Sequence, residues 1–171
     1  LLKQAKFFKV KNLIITNQNS YKKAKENRIY KNMNIYNNFN SFRKIFKKKI
    51  DYTMSSISGI HGLKPTIEII KYTKKIAIAN KEAIICGWDL IEKSLNKHKT
   101  KFIPVDSEHF SIWYALQEIE KNLIEKIYLT ASGGPFLEKS LKKLKKVDIK
   151  QVIDHPNWKM GKKISIDSST M

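Results

Sequence analysis

Short β-branched runs alternate along this chain with stretches whose apolar residues recur at helical spacing. The first run, NLIIT at 12–16, ends in polar NQNS and predicts a buried strand. SYKKAKEN then predicts a helix with Ser20 as its N-cap. Residues 28–49 are less legible, with a short strand expected near NIY (34–36) and a helix near SFRKIF (41–46). From residue 51 the pattern sharpens. YTMSSIS (52–58) predicts a strand running into GIHG, and LKPTIEIIKYT (63–73) a helix carrying Ile67, Ile69 and Ile70, with Pro65 tolerated in its first turn. KIAIA (75–79) is the next strand. KEAIICGWDLIEKSLNK (81–97) follows as a helix with Ile84, Ile85, Trp88, Ile91 and Leu95 on one broad face. KFIPV (101–105), SEHFSIWYALQEI (107–119) and EKIYLTA (125–131) complete the series as strand, helix and strand.

Strands and helices alternating at this spacing predict βαβ units, hence an α/β fold with a largely parallel sheet. Ligands of such sheets gather beyond the carboxyl ends of the strands. The residues expected there are Ser58 and Gly59, the NKE run Asn80, Lys81 and Glu82, the DSE run Asp106, Ser107 and Glu108, and SGGP at 132–135. On extended backbone Asp106 and Glu108, two apart, lie on one side and converge on a hard divalent cation such as Mg²⁺ or Mn²⁺. The same spacing equally suits Asp106 as a helix cap with Glu108 in the first turn. His109 reads as a structural residue rather than a ligand. NKE sets a cation beside a carboxylate at a strand end, which fits an anionic ligand or a plain helix start. SGGP supplies backbone able to approach an anion, with Ser132 adding a hydroxyl, or else an ordinary turn. HPNWKMGKK (155–163) fits a flap closing on a phosphate or an exposed loop.

Composition changes this picture little. With 171 residues, 42% of them hydrophobic, the chain can bury a core. No window approaches a membrane span and no signal-type apolar block opens it, so a soluble intracellular protein without a membrane partner is expected. The single cysteine, Cys86, has no partner for a disulfide or a zinc pair and is expected to be buried. The formal charge of +19 raises nucleic acid as a partner. Yet residues 1–50 hold 14 Lys and Arg against one acid, Glu26, in the part poorest in motifs. That distribution favours a solvated, lysine-enriched surface over a nucleic-acid site.

The succession GLKPT, ANKEAIICG, PVDSEH, SGGPF and HPNWKMGKKISIDSSTM resembles the 1-deoxy-D-xylulose 5-phosphate reductoisomerases over residues 54–171, while residues 1–50 fit only by position. The resemblance implies a partial Rossmann-like NADPH-binding domain at 1–100, then part of an α/β catalytic domain at 101–171. The implied reaction is the NADPH-dependent rearrangement and reduction of 1-deoxy-D-xylulose 5-phosphate to 2-C-methyl-D-erythritol 4-phosphate. The βαβ pattern alone would also allow another NAD(P)-dependent oxidoreductase or isomerase of phosphorylated sugars. By matching motifs, Asp106 and Glu108 would bind Mg²⁺ or Mn²⁺ and act with Lys81 in catalysis. Lys81, Ser107, Glu108, Ser132, His155, Trp158 and Ser168 would contact substrate, with Ser132, His155 and Ser168 toward its phosphate. Asn80, Glu82, Met160 and Gly161 would lie on NADPH.

The resemblance further implies a homodimer in a bacterial cytoplasm, or in a plastid if the source is eukaryotic. The family's Gly-rich turn is expected before residue 1, and a third metal carboxylate after Met171. The chain is therefore read as an internal piece of a longer enzyme, inactive by itself. The connection between VDSEH and SGGPF is shorter than the family pattern leads one to expect.

Overall fold

The computed structural model describes residues 1–27, 32–159 and 161–170 and resolves two compact units, 1–117 and 118–171. The first opens with α1 (Leu2–Phe7) and β1 (Asn12–Ile14), which pairs in parallel with β2 (Asn34–Tyr36). Between them lies α2 (Gln18–Glu26). Its cap is Asn17, not Ser20: Asn17 is extended (φ −71°, ψ 120°), and its side-chain oxygen accepts the Ser20 N–H at 2.9 Å. An amide acceptor three residues ahead of a free N–H is the stronger start signal, and the sequence carries it one turn earlier than the serine.

A 3-10 turn at Phe39–Ser41 leads into α3 (Phe42–Ile45), so the helix expected over 41–46 is only one turn long. Then comes the principal sheet, β3 (Ile50–Ser55), β4 (Thr73–Ile78) and β5 (Lys101–Pro104), in spatial order β3-β4-β5 with both pairings parallel. The crossovers are α4 (Leu63–Ile70) and α5 (Lys81–His98), and α6 (Ser107–Ala115) follows β5. The α/β parallel architecture read from the alternation is the one found.

Branched side chains build the core. Ile69 and Ile70 of α4, Ile76 and Ile78 of β4, and Ile91 and Leu95 of α5 form one buried cluster, flanked by Phe42, Phe46, Trp88 and Phe102. At roughly 25 cal/mol per Å² of apolar surface, each of these isoleucines contributes on the order of 2 kcal/mol by leaving water. Two expectations on α5 fail. Ile85 is 78% exposed, and Cys86 beside it is exposed rather than buried. The buried face of α5 runs through Ala83, Gly87, Ile91 and Leu95, and 3.6-residue periodicity turns positions 85 and 86 away from it.

The helix after β5 stops at Ala115 instead of continuing to residue 119, and Glu118 adopts a left-handed φ of 68°. The second unit holds α7 (Leu141–Leu144), α8 (Ile149–Ile153) and α9 (Lys162–Asp167). Residues 125–131, expected as a fourth strand, form none; Ile127, Tyr128 and Leu129 are exposed. β-Propensity measures fit to a neighbouring strand, and this run has no ladder partner among the described residues. Among the described residues no helix is long and apolar enough to cross a membrane.

Candidate active site

β4 and β5 end side by side, with Ile78 opposite Pro104 as their last register pair. The segments leaving them therefore start from one edge of the sheet, and each begins a capped helix. After β4, Asn80 caps α5: its Oδ1 accepts the Ala83 N–H at 3.0 Å. The amide of Asn80 also donates to the carbonyls of Ile57 and Gly59 in the segment beyond β3, at 2.8 Å for Gly59. Asn80 is buried, and its side chain ties the exits of β3 and β4 together. Gly62 packs against this knot so closely that a Cβ there would overlap the Asn80 amide and the Ile57 carbonyl. Lys81 is exposed and Glu82 half-buried in the first turn of α5, where the helix dipole favours the carboxylate.

After β5, Asp106 is the N-cap of α6, extended at φ −64° and ψ 151°, while Ser107 and Glu108 already belong to the helix. The extended geometry considered for Asp106 to Glu108 is thus not the one adopted. Asp106 Oδ1 accepts the His109 backbone N–H at 2.9 Å and lies 2.5 Å from His109 Nδ1. Partial burial pushes the Asp106 carboxyl up, but the hydrogen bonds from the backbone and ring of His109 outweigh it, so its pKa falls below the usual carboxylate value. His109 is structural in this sense: it holds the cap. Both its bonds fall on Oδ1. Ser107 and Glu108 are exposed beside it. Among the described residues no group of three or more His, Cys, Asp and Glu side chains is placed to hold a metal. The donors present, two carboxylates, suit a hard cation.

The second unit gathers a different set. His155 Nε2 lies 3.2 Å from Ser132 Oγ. The His155 ring is buried and sits 5.8 Å from the half-exposed Trp158 indole, tilted by 32°. Gly134 is pressed against the end of α9, where a Cβ would stand 2.5 Å from the carbonyl carbon of Ser169, just past the C-cap, and closer still to the carbonyl oxygen of the C-cap Ser168. The Phe136 N–H donates to the Ser169 carbonyl at 2.9 Å, and Phe136 itself is buried. Ser132, His155, Trp158 and Ser168 are therefore neighbours of one glycine-lined turn. Ser168 Oγ donates to the Ile164 carbonyl at 2.8 Å. Gly161 caps α9 and is exposed; Met160 lies outside the described residues. Asn157, which motif reading left without a role, bonds both Ser132 and His155, and only the coordinates reveal it.

A parallel sheet whose strands end in ligand-type side chains defines a Rossmann-like member of the α/β class. A family model described as 1-deoxy-D-xylulose 5-phosphate reductoisomerase matches residues 1–87, and one for the C-terminal domain of the same enzyme matches 102–171. The chain belongs to the 1-deoxy-D-xylulose 5-phosphate reductoisomerase family. It is 58% identical over 175 residues to the reductoisomerase of Pelagibacter ubique and 42% identical over 172 residues to that of Wolbachia pipientis; each match spans all of this chain but 45% and 44% of the relative. The Zymomonas mobilis enzyme, solved in complex with NADPH, superposes with a TM-score of 0.80 at 31% identity, over 99% of this chain and 43% of that one. A reductoisomerase solved with NADPH, fosmidomycin and magnesium gives a TM-score of 0.74 at 32% identity, over 98% and 44%. The chain thus spans less than half the length of the relatives it matches.

Proposed function

We propose that the protein carrying this chain converts 1-deoxy-D-xylulose 5-phosphate to 2-C-methyl-D-erythritol 4-phosphate with NADPH and Mg²⁺ or Mn²⁺. The observation that carries the reading is that β4 and β5, adjacent and parallel, deliver Asn80 to Glu82 and Asp106 to Glu108 at one sheet edge, in a chain 58% identical to a reductoisomerase. In this reading residues 1–100 belong to a partial dinucleotide-binding domain and residues 101–171 to part of a catalytic domain.

Asp106 and Glu108 would hold the cation, Asp106 through the oxygen that does not cap α6. A divalent cation held there would supply electrostatic stabilisation of negative charge on the substrate's oxygens. NADPH, when bound, would supply the hydride for the reduction. The chain's own groups bind and orient. Lys81 sets an ammonium at the start of α5 toward the substrate oxygens, and Ser107 and Glu108 hydrogen-bond its hydroxyls. Ser132, His155 and Ser168 hold the phosphate, and the Trp158 indole covers the substrate and excludes water. Asn80 serves the cofactor by fixing the backbone between the ends of β3 and β4, because its side chain is already engaged there. Glu82, Met160 and Gly161 complete the cofactor contacts. We take the working protein to be a cytoplasmic homodimer acting on a small sugar phosphate, with neither nucleic acid nor membrane as partner. The bacterial origin of the named relatives supports the compartment.

The test is NADPH oxidation by the full-length protein with substrate and Mg²⁺. Asn is as good an N-cap as Asp, so Asp106→Asn preserves the start of α6 while removing the charge. It is expected to lower kcat/KM by about a hundredfold or more. Turnover within a few-fold of the parent would sink the metal assignment.

A further inference from the structure

The backbone N–H of Asn157 donates to His155 Nδ1 at 3.1 Å. A nitrogen that accepts this bond carries the ring's lone pair, so in the neutral imidazole the proton sits on Nε2. That nitrogen faces Ser132 Oγ at 3.2 Å, which makes the histidine the donor and the serine oxygen the acceptor. The Ser132 hydroxyl proton is then directed elsewhere. With the opposite tautomer Ser132 would spend its proton on the ring and face a ligand with lone pairs alone, the wrong polarity for phosphate oxygens. A second bond comes from the same residue: Asn157 Nδ2 donates to the Ser132 carbonyl at 3.2 Å and fixes the serine backbone. The His155 ring also packs 5.8 Å from the Trp158 indole.

We propose that Asn157 is a positioning residue for the phosphate of the substrate, acting through both partners at once. Its backbone sets the tautomer of His155, and its side chain holds Ser132 so that the hydroxyl is presented as a donor to the anion. The inference rests on the assignment of Ser132 and His155 to the phosphate in the proposed function.

Two measurements separate this inference from that assignment. Long-range ¹H–¹⁵N spectra of the 171-residue chain are expected to show His155 protonated at Nε2 with a bare Nδ1. A proton on Nδ1 would overturn the proposal whatever the enzyme does. In the full-length protein, Asn157→Asp keeps the shape but replaces the donor facing the Ser132 carbonyl with an acceptor. It is expected to raise KM for the phosphorylated substrate roughly tenfold while changing kcat less than about threefold.

In a Ser132→Ala background the same change is expected to add nothing, because there is no hydroxyl left to orient. An unchanged KM in the single variant, or an equal rise in both backgrounds, would reduce Asn157 to a scaffold residue and overturn the proposal. If the full-length protein does not turn over the substrate, the functional assignment falls, and the positioning role is decided by titrating the 171-residue chain with inorganic phosphate. The expected result is then a Kd for phosphate about fivefold or more weaker in Asn157→Asp than in the parent. Equal phosphate affinity would overturn it.

Discussion

Replacing Gly134 with alanine should separate the SGGP turn from α9. The added Cβ would lie 2.5 Å from the Ser169 carbonyl carbon and closer still to the Ser168 carbonyl oxygen, backbone atoms that cannot swing aside, so restoring an ordinary contact of about 3.4 Å requires at least about 0.9 Å of separation. Added to the 2.9 Å between Phe136 N and the Ser169 oxygen, that displacement gives about 3.8 Å or more, beyond hydrogen-bonding range. Losing the bond costs about 1 kcal/mol, and partly exposing Phe136, which is 4% exposed in the parent, costs on the order of 1–2 kcal/mol more. The sum, about 2–3 kcal/mol, corresponds to amide exchange at Phe136 accelerated by on the order of a hundredfold. Hydrogen exchange followed by NMR reads it directly, with the amides of β4 as an internal reference that should not move. Gly161→Ala is the matched control: nothing lies within 4 Å of a Cβ there and φ is −61°, so protection at Phe136 should stay within about threefold. Protection at Phe136 unchanged in Gly134→Ala would show that the turn is not held against α9 as described.

Three further outcomes are expected. The Thr53 hydroxyl is buried without a hydrogen-bond partner among the described residues, so the isosteric Thr53→Val should leave the chain equally stable or raise its stability by up to about 1–2 kcal/mol in a urea titration; a loss of stability would reveal a partner. Lys99 ends α5 in the left-handed region at φ 51°, with the Thr100 N–H returning to the Leu95 carbonyl, so Lys99→Gly should raise the urea midpoint by an amount equivalent to about 1 kcal/mol. An unchanged midpoint would count against the strain argument. Burial, and then the ammonium groups of Lys97, Lys49 and Lys71, hold His98 below its ordinary value of 6.5. The unfolded chain therefore binds more protons there, so this contribution to stability rises with pH until the unfolded value is passed. It is lost as pH falls toward the folded pKa. His98→Gln should flatten that slope, and an NMR titration midpoint for His98 at or above 6.5 would contradict it.

What was legible in the sequence follows physical lines. β3, β4 and β5 and the helices between them announced themselves because their apolar residues repeat at the period of the element and face one shared core. Residues 125–131 show the same β-branched pattern without forming a strand, since a ladder depends on a neighbour that a one-dimensional pattern does not reveal. Cys86 and Ile85 were misplaced for a related reason: apolar character says a residue tolerates burial, and only the phase of the helix says which face is buried. Among the candidate site residues, the positions at strand ends followed from topology. The contacts did not. That Asn80 spends its side chain on the carbonyls of Ile57 and Gly59, or that Asn157 bonds the Ser132 carbonyl, depends on partners more than 20 positions away in sequence.

Asp106 shows why capping and ligand binding need not compete for one carboxylate. A cap needs a single oxygen in front of the first turn, and both bonds from His109 fall on Oδ1. Those bonds do two things at once: they start α6 immediately beyond β5, and they lower the carboxyl pKa. They also fix the rotamer, so the second oxygen has a set direction before any ligand arrives, and less conformational entropy is lost on binding. A helix that begins directly after a strand thereby turns a local folding signal into a pre-oriented acid. The short spacing of Asp106 and Glu108 then has its explanation in the helix start as much as in the chemistry proposed for it.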